Sequence, residues 1–150
     1  GHIKADNFQA LKLAIFFHDY VMEKKEDDVA QSAAYVCNLF FNTKLATQVA
    51  DLIMATEHLQ ATSSMTNDMQ IIHDLDFAIL GDRMNYGHYA INLRREYADY
   101  SEKDYAKGRT EFLQNLLFRP RLFVNDAFAA MFEQDARANI EQETAYWAKF

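Results

Sequence analysis

Apolar residues recur along this chain at steps of three and four, the spacing that lines one face of an α-helix. Phe8, Leu11, Ala14, Ile15, Val21 and Met22 share one such arc. They predict a first helix over 7–22, opened by Asp6 with Gln9 three residues on as a capping pair. A second helix is predicted over 29–41, and a third from the N-cap Thr43 to His58. A fourth runs from Asn67 or Asp68 to Leu80, with Gly81 as its C-cap. Three more follow: 83–100, Ser101 to the Arg119-Pro120 pair, and 125–147. Segments 23–28 and 60–66 read as polar loops. The sum is an all-α bundle of about seven helices, expected to form a single domain over 1–150.

The candidate chemistry lies where ionisable groups interrupt these arcs. His18 falls in the middle of the first arc and Asp19 at its edge. On the fourth helix Asp76 sits among Met69, Ile72, Leu75, Ile79 and Leu80, whereas Asp74 is expected on the opposite side, toward solvent or an arginine. Burying such groups without partners costs several kcal/mol, about 2–7 for a neutral polar group and more for a charge. Salt bridges to arginine would satisfy them, and so would a shared divalent cation. Imidazole and carboxylate donors suit Mn, Fe, Ni, Co, Zn or Mg. His58 stands where the third helix should end, and reads equally as a surface residue or as one lining a site. The stripe of Tyr86, Tyr89, Ala90, Leu93, Tyr97 and Tyr100 reads as core, with Glu96 paired to Arg109 or Arg137.

Composition narrows the partners. Four Gly and one Pro are too few for the turns of a sheet-rich fold. The single Cys37 excludes an internal disulfide and a cysteine-based zinc finger, and reads as a small core residue in a reducing compartment. A net charge of −7 argues against long nucleic acid and anionic membranes as partners. No apolar run approaches the roughly 20 residues of a membrane span. The best, Leu13 to Phe17, is flanked by Lys12 and His18. With no signal peptide visible, a cytoplasmic protein is expected. The chain opens on Gly1-His2 rather than methionine, so a trimmed start and an expression scar at His2 both stay open.

The stretch Leu13-Ala14-Ile15-Phe16-Phe17-His18-Asp19-Tyr20-Val21 resembles the signature of the HD-domain superfamily of metal-dependent phosphohydrolases. Ser32-Ala33, Ile53 to His58, the block Asp74-Leu75-Asp76-Phe77-Ala78-Ile79-Leu80-Gly81, Arg94-Arg95-Glu96-Tyr97, Gly108-Arg109 and Ala136-Arg137-Ala138-Asn139 extend the likeness over nearly the whole chain. They point to a small branch of predicted HD hydrolases. The family pattern is a first His, the His-Asp pair and a later Asp on one metal. The resemblance therefore implies His2, His18, Asp19 and Asp76 as ligands of a divalent metal ion. His2 precedes His18 by a shorter spacing than the family usually shows. A second departure is Asp28-Val29, where relatives often carry Asn-Glu.

The resemblance also implies an activity: hydrolysis of a small phosphate monoester or nucleotide by a metal-activated water. Asp19 would position that water, and His58 would steady phosphate oxygens or protonate the leaving group. Arg94 or loop lysines would offset phosphate charge. Two other readings remain: a metal-binding or catalytically degenerate module with a regulatory role, and a structural helical protein whose His18, Asp19 and Asp76 pair with arginines. A homo-oligomer is compatible with each.

Overall fold

Seven α-helices and one 3-10 turn make up the regular structure of the described residues: α1 (Phe8–Phe17), α2 (Asp28–Leu39), α3 (Lys44–Glu57), α4 (Asn67–Phe77), the turn Ala78–Gly81, α5 (Tyr86–Glu96), α6 (Glu102–Leu117) and α7 (Asp126–Trp147). The computed structural model describes residues 3–23, 27–57 and 64–150, without the side chain of residue 57. No strand occurs among them, so the expected all-α class holds. None of these helices is long and apolar enough to cross a membrane. The chain divides into two compact units, Gly1–Asp76 and Phe77–Phe150.

In the first unit α3 packs against both α1 and α2. Ala46, Val49, Leu52 and Ile53 of α3 are buried as their spacing predicts; Ala10, Leu11 and Ala14 of α1 and Ala33 and Val36 of α2 are buried too. The expected first helix is too long, and its arc is misplaced. α1 stops at Phe17, and Phe8 is 72% exposed. Continuing the helix would require the Val21 N–H to reach the Phe17 carbonyl. That N–H instead donates to Ser32 Oγ at 3.0 Å, and Tyr20 N–H closes a turn on Phe17 O at 3.1 Å. The caps shift as well. Asn7, not Asp6, accepts from Ala10 N–H, and Thr66, not Asn67 or Asp68, accepts from Met69 N–H. Asp68 serves a different end of the unit. Its buried carboxylate accepts from the N–H groups of Asp6 and Asn7, each at 2.7 Å, tying the entry of α1 to α4. Cys37 is half-buried rather than fully in the core.

In the second unit α7 packs against α6 and against the 3-10 turn. Ser101 and Asn125 cap α6 and α7 as the sequence predicts. Gly81 has no left-handed φ, so it is not the expected αL cap. A Cβ there would stand 2.7 Å from Phe132 Cβ and 2.8 Å from its carbonyl oxygen, so glycine is required by close approach to α7. α5 is shorter than expected at both ends. Asp82 accepts from the N–H groups of Met84 and Asn85, holding a turn before the helix. Arg94 then donates to the carbonyls of Tyr97 and Tyr100, closing its far end.

Candidate functional site

The break after Phe17 is what builds the site. His18 is the C-cap of α1, and Asp19 begins the turn that leaves it. Tyr20 stacks on Tyr35 of α2 at 4.0 Å with the rings 17° apart, and Ser32 holds Val21. Together these contacts fix the path of the turn. Asp76 comes from the last turn of α4. All three residues therefore lie at helix C-termini or just beyond them, where exposed carbonyls favour a cation.

The His18 ring is held at both nitrogens. Nδ1 lies 2.9 Å from the Ile15 carbonyl, which can only accept, so Nδ1 carries a proton. Nε2 faces Asp19 Oδ2 at 3.2 Å and Asp76 Oδ1 at 3.6 Å. The first is within hydrogen-bond reach; the second is an ion-pair contact. Asp19 and then Asp76 raise the imidazole pKa to about 10, against the opposing effect of partial burial. His18 in turn lowers the Asp19 carboxyl below its ordinary range. The side chains of His18, Asp19 and Asp76 are 23%, 63% and 40% exposed, so the cluster opens to solvent.

The expected three residues therefore meet in one place, with a different burial from that expected. Asp76 and Leu75 are exposed, whereas Asp74 is fully buried and bonded to His73 Nδ1 at 2.9 Å. Asp74 thus lies in the interior rather than toward solvent. The buried face of α4 is rotated from the expected one, and consists of Asp68, Ile71, Ile72, His73, Asp74 and Phe77. His2 and His58 lie outside the described residues, as do Lys24, Lys25 and Glu26 of the charged loop.

The donor set suits a divalent cation chemically. The Ile15 carbonyl sets the His18 tautomer, which leaves Nε2 as the atom a metal would meet. Two donors sharing a cation at ordinary bond lengths are about 3.0–3.4 Å apart, close to the spacing at Nε2. As they stand, no three or more His, Cys, Asp or Glu side chains among the described residues form a group arranged to hold a metal ion. The three instead close on one another as an ion-paired cluster.

Periodicity missed a second polar centre, in the other unit. Arg109 and Arg137, the expected partners of Glu96, pair with other carboxylates. Arg109 Nε and Nη2 donate to Glu143 at 2.9 and 3.0 Å, and Arg137 pairs with Glu133. Trp147 Nε1 and the Tyr86 hydroxyl also donate to Glu143. Burial alone would raise the Glu143 pKa, but Arg109 and the other donors hold it below the ordinary glutamate value. The signal was present: Ala136, Ile140, Glu143 and Trp147 share one helical stripe, as do Tyr105, Arg109 and Leu113. No protein-family model matches the chain, and comparison with curated proteins and with solved structures yields no match either.

Proposed function

We propose that the chain is a metal-dependent phosphohydrolase of the HD type, acting on a small phosphate monoester or nucleotide. The observation that carries this reading is the convergence of Asp19 and Asp76 on Nε2 of His18. His18, Asp19 and Asp76 would hold the divalent ion, with His2 as the fourth ligand implied by resemblance. When bound, the ion lowers the pKa of water and polarises a phosphoryl oxygen. Asp19, the most exposed of the three, is placed to accept a hydrogen bond from an attacking water. His18 keeps its Nδ1 proton on Ile15, so it orients rather than shuttles. The open face of the cluster suits a small ester.

The test is Asp19→Ala against the unmodified chain, with Mn or Ni and p-nitrophenyl phosphate. Metal is expected to raise the melting temperature of the parent and to support hydrolysis. The variant should fold, since Asp19 is largely exposed, and should lose both responses. Equal metal stabilisation of the two proteins would remove Asp19 from the ligand set. A second reading, a metal-binding module without catalysis, is favoured by Asp28-Val29 in place of Asn-Glu. It is separated by metal-dependent stabilisation without hydrolysis.

A further inference from the structure

The second unit carries a groove of about 470 Å³, within the size range of small-molecule sites. Tyr89, Tyr97, Tyr100, Tyr105 and Phe112 supply most of its wall, and Arg109 joins them. Two donors there are unused. Arg109 uses Nε and Nη2 on Glu143, and Nη1 makes no hydrogen bond among the described residues. The Tyr105 hydroxyl is buried and has no hydrogen-bond partner, in a residue only 7% exposed. A buried donor left unsatisfied is costly, and an acceptor entering the groove would relieve it.

The sign of the occupant follows from what already covers the rings. Aromatic walls attract cations through their faces. Here Arg94 lies 4.9 Å over the Tyr105 ring, and Arg109 lies 5.7 and 5.4 Å from the Tyr89 and Phe112 rings. Arg109, which lines the groove, already takes the place of a ligand cation beside the Tyr89 and Phe112 rings, and Arg94 already covers the Tyr105 ring. The nearby carboxylates are engaged: Glu143 accepts from Arg109, Trp147 and Tyr86, and Asp104 accepts from Ser101 Oγ at 2.6 Å. One guanidinium nitrogen and one phenol offer two donors, as many as the two oxygens of a single planar anion can accept. A phosphate would bring a further charge toward Glu143.

We propose that this groove binds a flat aromatic monocarboxylate, its ring against the tyrosine walls and its carboxylate at Arg109 Nη1 and the Tyr105 hydroxyl. The site is independent of the His18 cluster. Calorimetric titration of the full chain with 2-naphthoate, 2-naphthylmethanol and 2-naphthylmethylammonium tests it. Naphthoate should saturate one site with a submillimolar Kd, and the alcohol and the ammonium should each bind at least about fivefold more weakly. Tyr105→Phe removes an unpaired hydroxyl, so it should keep or raise the melting temperature while weakening naphthoate about fivefold. Tyr100→Ala truncates a residue that is 55% exposed, so it should fold and also lose affinity. Failure of naphthoate to saturate by about 10 mM overturns the site. So does ammonium binding as tight as naphthoate, or unchanged affinity in both variants.

Discussion

His18 is the residue whose state decides the most. Without metal its ring is a cation pinned between two carboxylates, with a pKa raised to about 10 by Asp19 and then Asp76. A raised folded-state pKa stabilises the fold fully below the unfolded value of 6.5, and this contribution is lost as pH rises through about 10. The ring resonances of His18 should thus stay flat across neutral pH in an NMR titration and move only near the upper value. A midpoint near the ordinary histidine value would show that the carboxylates do not hold it. Metal must displace the Nε2 proton, so binding at neutral pH should release about one proton, measurable by calorimetry in buffers of different ionisation enthalpy. Arg94 illustrates a different use of charge: its guanidinium caps α5 through two carbonyls while lying over Tyr105, so one side chain ends a helix and covers a ring.

At the scale of elements, Gly81→Ala is a sharp probe. The added Cβ would meet Phe132 Cβ and backbone oxygen, neither of which can swing aside. Overpacking of this kind costs about 1–3 kcal/mol, so the melting midpoint should fall by several degrees. A midpoint unchanged from the parent would mean that the turn and α7 separate freely. The seven helices were legible because Ser101, Asn125 and Thr43 cap where hydroxyl and amide side chains should, and because the α3 stripe is regular. The end of α1 was not legible. Nothing local stops that helix at Phe17; a hydroxyl from α2, Ser32, captures the backbone that would have continued it. The convergence of His18, Asp19 and Asp76 was readable from their residue types and the family likeness. Their exposure was not, because α4 turns Asp68, His73 and Asp74 inward, and Asp68 is anchored there by contacts distant in sequence, the N–H groups of Asp6 and Asn7.

At the scale of the whole molecule, the chain keeps two kinds of polar centre in two units: an open, ion-paired cluster in the unit that ends at Asp76 and a buried one in the unit that follows. The buried one is the greater structural liability. Glu143→Gln would leave the Arg109 guanidinium, in a residue 8% exposed, without its counter-charge. Breaking a buried pair in this way costs about 3–5 kcal/mol, so calorimetric melting should reveal a strongly weakened variant. A loss below about 1 kcal/mol would show that water already neutralises the pair. The same carboxylate gives the protein a built-in gauge. Trp147, the chain's single tryptophan, donates its indole N–H to Glu143 and meets the Tyr105 ring edge-on at 5.0 Å. Indole emission therefore reports on the second unit alone, while circular dichroism averages over every helix. Following both signals through one thermal ramp resolves, without any label, whether the two halves of the chain melt together or in turn.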